Sequence, residues 1–182
     1  MILNSPDLLM PMAGNVISTV SVSGTFGVKF VGAPASAVWP AADRVLFFPF
    51  STGRSVRIIG CWVLNGAAVA GDIDIGIYDH AGTLLDSVGA TAQAGVNVIQ
   101  TIGAVGGIDV VIGPGVFYLA MIANNAAATT YRLSVAMPVQ AFGQAMQAAA
   151  WGPGLPANAV MAQNAAPYVP IFGALVWPRT VI

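Results

Sequence analysis

Residues 44–137 fall into about eight short apolar runs, each closed by a turn signal before a long helix can form. They are RVLFFPFS (44–51), SVRIIGCWVL (55–64), DIDIGIYD (72–79), TLLDSVG (83–89), VNVIQTI (96–102), IDVVI (108–112), VFYLAMIA (116–123) and TYRLSVAM (130–137). This spacing is that of a β-sandwich or barrel, and no run repeats its apolar residues with the 3.6-residue period of a helix. DIDIGIYD alternates cleanly, with Ile73, Ile75 and Ile77 on one side and Asp72, Asp74, Gly76 and Tyr78 on the other. SVRIIGCWVL, read with strict alternation, sets Val56, Ile58, Gly60, Trp62 and Leu64 against Arg57, Ile59, Cys61 and Val63. Asn65-Gly66 is the strongest two-residue hairpin signal in the chain. Asp79-His80-Ala81-Gly82 reads as a turn, with Gly82 suited to positive φ. The expected fold is therefore all-β and antiparallel, with about eight strands. Its expected core contains Trp62, Ile73, Ile75, Ile77, Phe117, Leu119 and Met121.

The two ends read differently. Residues 1–42 mix Pro, Gly, Ser and Ala around one alternating stretch, VISTVSVSGTFGVKF (16–30), and are expected to form an N-terminal arm that adds one or two strands. The sandwich core is expected to span 43–137 and to stop at Met137-Pro138, so that a chain cut there still folds. Residues 138–182 are nearly uncharged. QAFGQAMQAAA suits a short helix, and prolines 153, 156, 167, 170 and 178 then enforce extended chain. A solvated disordered tail is rich in charge and poor in aromatics. This one carries Phe142, Trp151, Tyr168, Phe172 and Trp177, so it is expected to pack on something.

Charge limits the function classes. The 182 residues include only six basic and seven acidic side chains, with no glutamate, where ordinary domains are about 25% charged. A folded monomer of this mass exposes roughly 8,000 Å², which is sparse cover for a surface that must stay soluble and free of patches. The expectation is that copies of the chain or other proteins cover much of that surface. One lysine and five scattered arginines argue against nucleic-acid binding. Gly, Pro, Gln and Asn interrupt every uncharged stretch before it reaches a helical membrane span. The start, MILNSPDLLMPMAGN, lacks the basic n-region of a signal peptide, and neither a leader nor an anchor is expected. A transmembrane β-barrel, whose only signature is alternation, is disfavoured by the length of chain outside strand-like runs.

Catalytic candidates are few. His80 is the only histidine and Cys61 the only cysteine, and nothing resembles a nucleophile elbow. His80 reads as a solvated turn residue and Cys61 as a buried thiol. Asp72, Asp74 and Asp79 read as a polar strand face whose carboxylates meet Arg54, Arg57 or Arg132. Calcium binding, or paired-carboxylate hydrolysis, is the alternative for these three. No catalytic residue, cofactor or metal is assigned. Among the aromatic residues, Trp39, Phe142, Trp151, Tyr168, Phe172 and Trp177 are candidates for interface anchors; a row of exposed tryptophans would instead suit a sugar.

The block DIDIGIYDHAGTLLDSVGATAQ, the later VIGPGVFYLAM and the preceding RVLFFPFSTGRSV resemble a recurrent type of virion structural protein from tailed bacteriophages. The resemblance covers roughly residues 43–137 and, more loosely, AFGQAM and PIFGAL. It implies a jelly-roll-like β-sandwich flanked by extended arms, and it brings no catalytic residue with it. The function it implies is non-enzymatic: capsid decoration (cement) in the virion, as a trimer in contact with the major capsid protein or other virion proteins. A tail or fibre-base component with a carbohydrate-binding jelly roll is the alternative. No nucleic-acid or membrane partner is expected.

Overall fold

A computed structural model describes residues 15–18, 34–103, 107–133, 145–147, 152, 154–163 and 168–177. All regular structure among them is β. The first strands in chain order are β1 (Asn15–Ser18), β2 (Ala35–Val38), β3 (Arg44–Thr52), β4 (Val56–Leu64) and β5 (Asp72–Asp79). Then follow β6 (Leu84–Ser87), β7 (Thr91–Ala92), β8 (Ile99–Ile102), β9 (Val110–Ile112), β10 (Gly115–Ala123) and β11 (Thr129–Leu133). The C-terminal region supplies β12 (Ala145–Gln147), β13 (Met161–Gln163), β14 (Val169–Pro170) and β15 (Phe172–Val176). No helix among the described residues is long and apolar enough to cross a membrane.

Every pairing is antiparallel. Sheet I runs β1-β15-β4, with β8 and β9 sharing the far edge of β4. Sheet II runs β13-β12-β3-β10-β5, with β6 and β7 sharing the far edge of β5. A small sheet III runs β14-β11-β2. The chain returns from sheet I to lay β10 between β3 and β5, a non-sequential insertion of the Greek-key kind.

Sheets I and II bury one main core. Ile73, Ile75, Ile77, Leu119 and Met121 from sheet II face Ile58, Val63 and Phe172 from sheet I. Phe48 meets Phe172 edge-to-face at 5.5 Å. Period two holds on β3, β5 and β10 of sheet II: on β3, Leu46 and Phe48 point inward, while Val45 and Phe47 point outward. Phe117 packs against the main core while remaining partly exposed.

Strict alternation fails on β4. Its partner β15 pairs residue for residue from Val63 to Gly60, then skips Ile59 to join Val176 with Ile58. That bulge reverses the facing. Val56 and Ile58 point inward before it, and Cys61 and Val63 point inward after it. Trp62, expected in the core, therefore lies on the opposite face of sheet I, against Ile171, Leu64, Tyr131 and Leu175. The bulge also marks where β4 exchanges neighbours, from β9 at residues 56–58 to β8 at residues 61–64.

Three further expectations are corrected. The core does not end at residue 137: β15 is an interior strand of sheet I, and Phe172, Ala174 and Val176 belong to the main core. Aromatic and β-branched side chains that no isolated arm could shield have found their cover within the same chain. Residues 145–147, expected within a short helix, form β12 between β3 and β13. Asn65-Gly66 is not a hairpin turn, because the chain leaves sheet I there for sheet II. Asn65 is fully buried, and a Cβ on Gly66 would overlap Ser36 Oγ and Thr129 Oγ1. Of the expected N-terminal strands, β1 pairs with β15, and residues 19–33 lie outside the described set.

Candidate functional site

The acidic candidates are held apart. Asp72 accepts a hydrogen bond from Asn124 Nδ2 (3.1 Å). Asp79 uses Oδ1 to hold its own turn, taking the amides of Ala81 (2.9 Å) and Thr83 (2.8 Å). Gly82 closes that turn at φ 87°, and His80 stands exposed within it. Asp74 is only 2% exposed; its Oδ2 accepts from Leu155 N (2.9 Å) and Ser87 Oγ (3.2 Å). Burial pushes its pKa up, against the opposing pull of hydrogen bonds from Leu155, Ser87, Gly89 and Ile75. No group of three metal-ligating side chains comes together among the described residues, so Asp72, Asp74 and Asp79 do not form one calcium site. Cys61 is sealed in the core, where burial raises its thiol pKa further from the reactive thiolate.

Arg57 pairs in register with Val111 across β4 and β9, and its guanidinium grips Asp109 with two bonds of 2.6 Å. Hydrogen bonding to Arg57 holds the Asp109 carboxyl below the usual range, and Asp109 raises Arg57 in return. Both side chains are about half exposed. This pair borders a groove of about 190 Å³ at one end of sheet I, lined by Arg54, Ser55, Arg57, Val111, Val176 and Trp177. Val111 is 67% exposed and Trp177 56% exposed. Aromatic, aliphatic and paired polar groups thus meet solvent side by side.

The interface candidates separate into two sets. Trp39, Tyr168 and Phe172, expected at an interface, are buried inside the chain's own core. Trp39 donates from Nε1 to Arg44 O (3.0 Å) and meets Tyr168 edge-to-face at 5.7 Å. Tyr168 donates to Ala37 O (3.0 Å) and lies under the Arg132 guanidinium at 5.7 Å. Of the four that are described, Trp177 stands exposed; Phe142 and Trp151 lie outside the described residues.

Sequence reasoning missed two arrangements. The first is a buried amide network. Asn65 Nδ2 donates to Ala94 O (2.6 Å) and Gln100 Oε1 (2.9 Å), while Gln93 Nε2 donates to Asn65 Oδ1 (2.9 Å) and Thr129 O (2.8 Å). It ties the loops after β4 and β7 to β11. The second is the cover on sheet II: Leu155, Ala159 and Met161 lie over Val45, Phe47, Tyr78, Ala120 and Ile122. Gly76 is the one local signal for it, since a glycine inside a strand often marks a close approach. A Cβ on Gly76 would come within 2.8 Å of Leu155 Cδ1. No protein-family model matches the chain, and no curated protein is significantly similar to it.

Proposed function

We propose that this chain is a non-enzymatic structural protein of a tailed-bacteriophage virion, a jelly-roll-type head decoration protein that acts as a trimer on the capsid lattice. The observation that carries the reading is the pairing of sparse charge with exposed apolar side chains on ordered strands. Val111, Val116 and Ile99 are each at least half exposed, and Trp177 joins Val111 at the end groove. Side chains of this kind are costly to leave in water and are typical of surfaces that another protein covers. The engaged aspartates, the sealed thiol and the solitary turn histidine give no nucleophile–base pair, which favours a mechanical role over a catalytic one. The mechanism is apolar burial summed over many subunit contacts, which stiffens the shell. Antibody labelling of purified phage particles under the electron microscope tests it. Regular decoration of heads is the expected result; unlabelled particles, with the chain confined to the soluble lysate, would contradict it.

A second reading, a tail or fibre-base protein that binds carbohydrate, is favoured by one feature. Trp177 offers an exposed ring beside the Arg57–Asp109 pair, a combination able to stack on a sugar and hydrogen-bond its hydroxyls. Glycan-array binding that Trp177→Ala abolishes would select this reading over capsid decoration.

A further inference from the structure

We propose that residues 154–159 form a pH-sensitive strap, latched across the outer face of sheet II by the buried carboxyl of Asp74 and released as that carboxyl ionises. The strap lies in the connection between β12 and β13. Its seat is shaped for it: Gly76 leaves a notch in β5 that Leu155 fills. Fixed polar anchors follow along its length. Tyr78 donates to Pro156 O (2.6 Å), Leu84 N donates to Ala157 O (2.9 Å), and Ala159 N donates to Gly82 O (2.7 Å). Thr83 and Asn158 form an antiparallel bridge. Among these contacts, the bond from Leu155 N to Asp74 Oδ2 is the one whose acceptor changes charge in the ordinary pH range.

The ionisable surroundings of Asp74 are sparse. Asp72 shares its face of β5 and is held by Asn124. On β6, Asp86 accepts the amides of Ser87 and Asp109. Tyr78 is neutral throughout the relevant range, burial having raised its pKa, and Cys61 lies beneath the sheet, its thiol likewise raised. The strap carries no ionisable side chain. Ionised Asp74 under a closed strap keeps the bonds to Oδ2, but its Oδ1 is buried with no hydrogen-bond partner among the described residues and no cation stands among these neighbours, whereas lifting the strap returns the carboxylate to water. The closed state holds the proton more tightly than the open state. Closure is therefore fully supported below the ordinary carboxyl pKa and is lost as pH rises through the raised value.

Hydrogen exchange of peptides covering 154–161, corrected for the intrinsic rate and measured from pH 4 to 8, tests this. Protection should fall as pH rises, by up to about tenfold per pH unit between the two pKa values. A β10 peptide should not fall in step. Asp74→Asn should flatten the profile, whereas His80→Asn, in the exposed turn whose Gly82 carbonyl accepts the Ala159 amide, should leave it unchanged. Should Asp74→Asn fail to fold, carboxyl-carbon NMR of the wild-type chain reads the Asp74 midpoint directly; a midpoint above the ordinary carboxyl value that tracks the loss of protection is expected. The latch is overturned if strap protection is flat with pH, if β10 declines in parallel, if His80→Asn removes the slope, or if Asp74 titrates at the ordinary value.

Discussion

The two outer faces of the sandwich have met the same physical problem in opposite ways. Sheet II presents Val45, Phe47, Tyr78, Ala120 and Ile122 outward, and the chain folds its own residues 155–159 back over them. Among the described residues, sheet I presents Trp62, Leu64 and Leu175 outward with Ile171 and Tyr131 packed beside them, and it leaves Ile99 and Val111 at least half exposed. A chain with so few charges cannot shield both faces with polar side chains. One face is closed within the molecule; the other is the face that the proposed function assigns to contact with another molecule. The two should therefore respond differently to substitution: changes under sheet II act on folding, and changes on the rim of sheet I act on association.

The largest expected effect comes from truncation. Removing residues 138–182 deletes β15 from the middle of sheet I together with the cover on sheet II, and circular dichroism should show no cooperative thermal transition. A truncated chain that melts cooperatively would remove the C-terminal strands from the core. Next come point changes in the shared core. Phe172→Ala and Ile75→Ala, both at fully buried positions, should each cost about 2–5 kcal/mol in urea denaturation. Gly76→Ala should cost about 1–3 kcal/mol, because its methyl collides with Leu155 and the Asp86 carbonyl; the change should open the strap before the core.

These numbers rest on features of unequal legibility. The strands of sheet II were readable because β3, β5 and β10 alternate without interruption, so Ile73, Ile75, Ile77, Leu119 and Met121 fell where period two puts them. The second cover was not readable from β5 itself. A face of Asp, Asp, Gly and Tyr looks solvated until Leu155 is placed on it from about 80 positions along the chain. Trp62 was misplaced because one bulged residue, Ile59, inverts everything after it, and Gly60 beside it was the only hint. Of the C-terminal aromatics expected to anchor on neighbours, Tyr168 and Phe172 are buried and Trp177 is exposed. For Tyr168 and Phe172 the cover is the chain's own core, a non-local pairing that composition does not encode. At the end groove, Arg57 was readable as a salt-bridge former, but Asp109 as its partner depended on the pairing of β4 with β9.

Smaller effects probe the rim of sheet I. Trp62→Phe should cost only about 1 kcal/mol by denaturation, since its buried Nε1 has no acceptor to lose among the described residues. The Arg57–Asp109 pair should add a slight, salt-sensitive stability. Asp109 titrates below its ordinary value in the folded chain, so this contribution is present above the unfolded carboxyl pKa and fades as pH falls through the lowered one. Asp109→Asn should remove that acid dependence in a pH series of melting temperatures.

Sedimentation velocity on the purified chain and on Val111→Asp tests most directly whether sheet I is an association face. The wild-type chain should sediment as a trimer or larger species. The variant, altered at a position 67% exposed, should shift to monomer while keeping a cooperative melting transition. A wild-type chain that stays monomeric at high concentration, or a variant that assembles unchanged, would contradict this account of the two faces.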